Sequence, residues 1–247
     1  MTSPGVPEIA AGWALFLDLD GTLLDIAPRP DAVIVPPALP DTLAALCDRL
    51  EGALAIVTGR ARETVDALLA PFSPAGGFGH GAELRDATGR TRGTEAMPPL
   101  PPEWPERLAR LAAERPGLLL ERKPHGLALH FRAVPQHEAL VRGALEALLD
   151  GHADRFALLP AHMAYELRPR LATKSRAVKA LMGMAPFRDR IPVVVGDDVT
   201  DEDAMEEARR QGGLGLHVGR DFTGGPAEVR AWLARGLARL PRSAARG

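Results

Sequence analysis

The sequence predicts an α/β fold: a parallel sheet with helices on both faces, interrupted by a smaller inserted α/β domain. Short apolar runs alternate with stretches whose apolar residues recur at helical spacing, the pattern of parallel strands joined by crossover helices. After a proline-rich stretch this alternation gives way to a different order, helix, two strands, helix, two strands, and after Pro169 it resumes. The boundaries that follow are residues 1–97 and 174–247 for the larger domain and 98–173 for the insertion.

Trp13 to Asp18 reads as the first strand, and Ala38 to Leu50 places Leu39, Leu43, Leu46 and Leu50 on one helical face. Between them, residues 26–37 carry four prolines and form an extended loop. Ala53 to Val57 is a second strand ending in Thr58, Gly59 and Arg60, followed by a helix with Val65, Leu68 and Leu69 inward. Residues 71–81 hold a short third strand before His80, and Ala82 to Arg92 form a hairpin turning at Gly89. Gly93 to Pro102, with four prolines, is a linker.

In the insertion, Trp104, Leu108 and Leu111 line a helix, Leu118 to Lys123 and Gly126 to Arg132 are strands, and Glu138 to Leu149 is a second helix. Strands at Phe156 to Leu159 and Met163 to Leu167 close the block. Strand alternation sets Leu127, Leu129 and Phe131 against His130 and Arg132. It likewise sets Met163, Tyr165 and Leu167 against His162, Glu166 and Arg168, and Leu118 and Leu120 against Glu121 and Lys123. One sheet face is thus apolar and helix-covered, the other polar with several cations. Beyond Pro169, Lys174 opens a helix with Val178, Leu181 and Met182 inward. Pro192 to Val195 is a buried strand ending in Gly196-Asp197-Asp198-Val199-Thr200-Asp201. A helix from Glu202, a strand from Leu214 to Val218 and a last helix from Pro226 to about Leu240 complete a Rossmann-like core.

The charged fraction of 25%, hydrophobic fraction of 46% and net charge of −2 give no sign of a nucleic-acid or anionic-membrane partner. Arginines from Arg235 to Arg246 are interleaved with Ala and Leu and read as a solvated helix face and tail. Cys47 stands alone, so neither a disulfide framework nor a cysteine metal site is expected. The first dozen residues lack a signal-peptide pattern, and no apolar run approaches the roughly 20 residues of a membrane span. A cytoplasmic monomer is the expectation.

In parallel sheets ligands bind beyond the carboxyl ends of the strands, and those ends collect Asp18, Asp20, Thr58, Asp197, Asp198 and Asp201, with Lys174 at a helix N-terminus. A lone Asp-Gly pair is usually a turn cap. Two carboxylates at the mouth of a strand, however, persist only with a cation, a proton or a substrate. Oxygen-only ligands suit a hard cation such as Mg²⁺, and calcium suits the same donors. Lys174 and the Thr58 hydroxyl point to a bound phosphoryl group. Phosphate-ester cleavage needs a nucleophile, which Asp18 supplies, and a proton for the leaving oxygen, which Asp20 supplies before activating water. The absence of a G-x-x-x-x-G-K-[ST] loop argues against a nucleoside-triphosphate machine.

Asp18-Leu19-Asp20-Gly21-Thr22-Leu23, Thr58-Gly59-Arg60, Lys174 and the run Gly196 to Asp203 together resemble the four motifs of the haloacid dehalogenase superfamily of phosphatases. The likeness is closer to the trehalose-6-phosphate phosphatase family within it, from about Trp13 to Trp232. It is carried by G-D-D-x-T-D-E-D, by G-H-G-A-E from Gly79 to Glu83, and by E-x-K and L-A-L-H-F-R between Glu121 and Arg132. The resemblance implies Mg²⁺-dependent hydrolysis of a small-molecule sugar phosphate, trehalose 6-phosphate, through an aspartyl-phosphate intermediate. It makes Asp18 the nucleophile, Asp20 the general acid/base, and Thr58 and Lys174 the phosphoryl ligands. The metal would be held by Asp18, the Asp20 carbonyl and Asp197, with support from Asp201. The insertion would be a cap whose Lys123, His130, Arg132 and Glu166 meet the sugar, alongside Arg60, His80, Gly81 and Glu83. Ala161-His162 stands where the family has Gly-Lys, and Ser175 where it has Gly. Hydrolysis of another phosphorylated sugar or glycoside, phosphotransfer to a sugar, and non-catalytic sugar-phosphate sensing are the alternatives.

Overall fold

The run Trp13–Leu17 has no polar residue to turn outward and forms β1, an interior strand with all five residues buried. Each large side chain so buried contributes about 2 kcal/mol relative to exposure. The structure, a computed structural model, describes residues 5–27, 32–92, 97–161 and 163–241. Along the chain β1 is followed by α1 (Leu39–Arg49), β2 (Leu54–Val57), α2 (Arg62–Leu69), β3 (Ala75–Phe78), β4 (Glu83–Arg85) and β5 (Thr91–Arg92). Next come α3 (Glu103–Glu114), β6 (Leu119–Lys123), β7 (Gly126–His130), α4 (Glu138–Leu149), β8 (Phe156–Ala161) and β9 (Ala164–Pro169). The chain continues with α5 (Lys174–Met182), β10 (Ile191–Gly196), α6 (Val199–Arg210), β11 (Leu214–His217), α7 (Val218–Asp221) and α8 (Gly225–Arg239).

Two units divide the chain, Met1–Arg92 with Thr173–Gly247, and Gly93–Ala172. The first holds a seven-stranded sheet in the order β11-β10-β1-β2-β3-β4-β5. Its first five strands are parallel and β4 and β5 run antiparallel. Complete burial of β1 and β2 shows that both faces are covered. α1 packs on α8 and α5 on α6. The stacked Phe16–Phe187 pair and the Trp13–Trp232 and Phe222–Trp232 contacts fill the space around β1. Leu17 is paired with Ile56 on one side and Val195 on the other. That register ends β1, β2 and β10 on a common edge, where Asp18, Thr58 and Asp197 follow.

The second unit is an antiparallel sheet, β6-β7-β9-β8, with α3 and α4 against one face. Its core contains Trp104, Leu108, Leu127, Leu129, Val141, Leu145, Phe156 and Leu167. The other face carries Glu121, Lys123, His130, Glu166 and Arg168, as alternation predicts.

Several sequence expectations shift. The helix expected from Glu202 starts at Val199, because Asp198 and Asp201 form a reciprocal capping box that satisfies the first-turn amides. The strand expected to reach Arg132 ends at His130, with Arg132 in the following turn. The strand expected to reach Val218 ends at His217, and Val218 begins the one-turn α7. Residues 28–31 of the expected loop, residues 93–96 of the linker, His162 and the tail from residue 242 lie outside the described residues.

The β4–β5 hairpin turns on Asp86, whose carboxylate accepts bonds from the Thr88 hydroxyl (2.6 Å) and amide (2.9 Å), the Arg90 amide (3.1 Å) and Arg92 Nε (3.0 Å). The Thr88 hydroxyl first, then Arg92 and the amides, hold its pKa down at about 2 instead of 3.8. The depressed value contributes stability above the unfolded pKa, lost as pH falls from about 4 through about 2. Urea titrations should therefore show a steeper loss of stability across that window for the native chain than for Asp86→Asn. Parallel profiles would refute this role.

Candidate active site

Asp18 leaves the end of β1 with its amide bonded to the Val195 carbonyl (2.9 Å) and the residue only 5% exposed. Lys174, first residue of α5 and 4% exposed, donates from Nζ to Asp18 Oδ1 and to Asp201 Oδ1, both at 2.7 Å. Thr173 caps that helix by accepting the Arg176 amide (3.1 Å), which aims Lys174 from a fixed helix start. Asp201 is fixed in turn by α6, where its second oxygen accepts the Asp198 amide (3.2 Å). Thr22 Oγ1 lies 3.2 Å from Asp197 Oδ1 and 3.4 Å from Asp18 Oδ2. Carboxylate oxygens of Asp18, Asp197 and Asp201 come within 4.8 Å of one another.

Glycines make this crowding sterically feasible. Gly21 has φ +77°, and a Cβ there would overlap the Asp197 carboxylate. At Gly196 a Cβ would overlap the carboxyl of Asp201.

The electrostatics follow from burial. Burial first, and then the neighbouring Asp201, push the Asp18 carboxyl up to about 7 despite Lys174. Burial and the charge of Asp18 push Asp197 up to about 7. Asp201 is raised by burial, against the pull of Lys174. Burial alone would lower the Lys174 pKa, but Asp18 and Asp201 outweigh it and keep the ammonium charged. Asp18 and Asp201 thus share one ammonium with Asp197 close by, and three acids around one cation suit a second cation. The donors are oxygens, which fits a hard divalent ion. Asp197 has one carboxylate oxygen outside these hydrogen bonds, whereas both oxygens of Asp18 and of Asp201 already accept.

Asp20 does not join this cluster. The chain leaves β1 after Leu17, bridges Asp20 to Leu24, and turns the Asp20 carboxylate to Arg60. Arg60 grips it as a fork, Nε to Oδ2 at 2.6 Å and Nη2 to Oδ1 at 2.7 Å. Thr58 is buried, and its hydroxyl accepts the Arg60 amide (3.2 Å). The amides of Gly79 and His80 donate to the carbonyls of Arg60 and Thr58, both at 2.9 Å. His80 adopts φ +58° and Gly81 φ +95°, where a Cβ would overlap the Thr173 carbonyl. Glu83 pairs with Arg62 (2.5 Å). Among described residues, no helix is long and apolar enough to cross a membrane.

In the second unit, Lys123 Nζ bonds Glu166 (2.5 Å) and His130 Nε2 lies 2.9 Å from Glu121. The His130 hydrogen bond, followed by the charge of Lys123, lowers the Glu121 pKa against its burial. Arg132 is half-buried in the turn after β7. Sequence reasoning left out Thr22, Arg62 and Glu121 as site residues. The first and last were visible as the hydroxyl of D-x-D-G-T and the acid two residues before Lys123, but Arg62 had no signal beyond its charge.

The chain has the fold of the haloacid dehalogenase superfamily. A crystal structure of a trehalose-6-phosphate phosphatase related protein matches with a TM-score of 0.74 at 24% identity, covering 91% of this chain and 96% of that one. The trehalose-phosphatase family matches residues 16–230, and the chain belongs to that family of phosphoric monoester hydrolases. A probable trehalose-phosphate phosphatase of Sinorhizobium fredii is 41% identical over 84% of this chain and 78% of the relative. The trehalose-6-phosphate phosphatase of Escherichia coli is 37% identical over 94% and 90%.

Proposed function

We propose that the protein hydrolyses trehalose 6-phosphate to trehalose and phosphate, with Mg²⁺ as cofactor and a phosphorylated Asp18 as intermediate. One observation carries the chemistry: the buried Asp18 carboxylate, bonded by Lys174 and set beside Asp197 at the strand edge. The named activity of the S. fredii and E. coli relatives supports the substrate.

In this reading an oxygen of Asp18 attacks phosphorus as the bond to the sugar oxygen breaks. Asp20 gives that oxygen its proton, then takes one from the water that releases phosphate from Asp18. Lys174 and Thr58 bind the phosphoryl oxygens, and Lys174 also holds Asp18 in line. Asp18, the Asp20 carbonyl and Asp197 would hold a Mg²⁺, with Asp201 behind them, and such an ion would supply charge to offset that of the phosphoryl group. On the larger unit this reading assigns sugar contacts to His80, Gly81 and Glu83; on the inserted unit it assigns them to Lys123, His130, Arg132 and Glu166. The Lys123–Glu166 and Glu121–His130 pairs carry the kinds of donor and acceptor that sugar hydroxyls bind.

Phosphate release from trehalose 6-phosphate, glucose 6-phosphate and sucrose 6-phosphate with Mg²⁺ tests this directly. The trehalose ester should be preferred by at least about tenfold, roughly one well-made polar contact. EDTA should abolish turnover and added Mg²⁺ restore it. Equal turnover of the three esters would leave a phosphatase of broader range, and turnover unchanged by EDTA would remove the metal.

A further inference from the structure

We infer that Arg60 is the positioning residue of Asp20: its guanidinium fork sets where the Asp20 carboxylate stands and so how it meets the leaving group. The inference rests on the phosphatase reading above and refines it, since the sequence placed Arg60 among the substrate ligands.

The geometry supports a hold on Asp20. Both oxygens of Asp20 accept from Arg60, at 2.6 and 2.7 Å, and the Arg60 side chain is only 12% exposed against 38% for Asp20. Arg60 is anchored at its backbone, its amide on Thr58 Oγ1 and its carbonyl under the Gly79 amide. The fork therefore ties the loop after β1 to the loop after β2. Planar bidentate pairing fixes direction as well as distance, which a lysine at the same place would not do.

A carboxylate gripped through both oxygens keeps one lone pair on each outside the fork. In the first half-reaction Asp18 forms its bond to phosphorus, the phosphorus–alkoxide bond breaks, and the proton of Asp20 passes to the alkoxide. That requires one Asp20 oxygen to carry hydrogen, on a lone pair outside the fork. In the second half-reaction water attacks phosphorus, the bond to Asp18 breaks, and Asp20 recovers a proton from the water. An ionised Asp20 still has lone pairs outside the fork, so Arg60 can orient the base during this step. Arg60 thus acts through Asp20, with a demand that scales with how much the leaving group needs a proton.

Leaving-group dependence tests this. An alkyl phosphate departs as a strongly basic alkoxide, whereas p-nitrophenyl phosphate departs as a stabilised phenolate that needs little protonation. Wild type, Arg60→Met, Arg60→Lys, Asp20→Asn and the Arg60→Met/Asp20→Asn double variant are compared on trehalose 6-phosphate and p-nitrophenyl phosphate. The expected result is a loss in kcat/KM for Arg60→Met on the sugar ester about tenfold or more beyond its loss on the aryl ester. It lies within the range general acid–base catalysis supplies, and it should fall mainly on kcat. Asp20→Asn should show the same bias, and the double variant should be little worse than Asp20→Asn alone. Arg60→Lys should keep the bias, because charge without the fork does not position Asp20.

Equal losses on both esters, carried by KM and additive with Asp20→Asn, would make Arg60 a phosphoryl or substrate ligand and overturn the inference. Unchanged kinetics in Arg60→Met would overturn it too. The Arg60→Lys variant guards against a folding defect in the Met variant. If wild type cleaves glucose 6-phosphate but not the trehalose ester, only the substrate reading fails, and glucose 6-phosphate serves as the alkyl ester in the same comparison.

Discussion

Asp18→Asn is expected to lower phosphate release from trehalose 6-phosphate by on the order of 10⁴-fold, the scale on which removing a nucleophile acts. The amide keeps the shape of the side chain, so Thr22, Asp197 and the end of β1 stay in place, but it cannot form the phosphoryl bond. It also removes one of the two acids bonded to Lys174. The burial that pushes Asp18 up to about 7 no longer penalises an amide, so the variant should be as stable as the native chain or more so in EDTA. Loss of activity with stability retained is the expected pair of results. Turnover within about tenfold of wild type would move the nucleophile elsewhere.

Lys174→Met is expected to cost about 3–5 kcal/mol of stability, the usual effect of breaking a buried ion pair from one side. Lys174 is the ammonium that Asp18 and Asp201 share at 2.7 Å, and all three side chains are at most 6% exposed. Methionine fills the volume but leaves two buried carboxylates facing each other. Both already have raised pKa values through burial, and loss of the ammonium raises them further. A raised carboxyl pKa destabilises the folded state above the unfolded value, with the full penalty only above the folded value. The deficit should therefore be largest at pH 7 and above and shrink as pH falls toward 4. Urea unfolding in EDTA across that range measures it, and a pH-independent deficit would place the cost in packing.

How much of this was legible in the sequence depended on whether a residue stays on a regular element. Asp18, Thr58 and Asp197 follow directly from buried strands whose ends the register aligns, so apolar runs sufficed to locate them. Lys174 follows from its place at a helix start. Asp20 did not follow, because the two-residue spacing in D-x-D suggests one shared face only while the chain remains a strand, and β1 ends at Leu17. The partnership with Arg60 depends on a loop turned by Gly21 at φ +77°, which no periodicity encodes. The start of α6 was readable in principle, since Asp198 and Asp201 have capping-box spacing, but the acid-rich run looked like loop. The four residues of α7 are too few to show a helical period.

The strand order has a consequence for how the chain comes together. β1 is made before one of its two neighbours, β10, which comes from Ile191–Gly196. Until those residues emerge, an apolar strand shows bare amides and carbonyls along one edge, the condition that invites pairing with another chain. Gly93–Ala172, contiguous in sequence, draws only on its own strands and helices and can collapse while the larger sheet is still incomplete. Lys174 lies 156 residues from Asp18. Assembly of the larger sheet is thus a late, non-local event with the slow closure such contacts impose, and the segment around β1 is where a chaperone would be needed most.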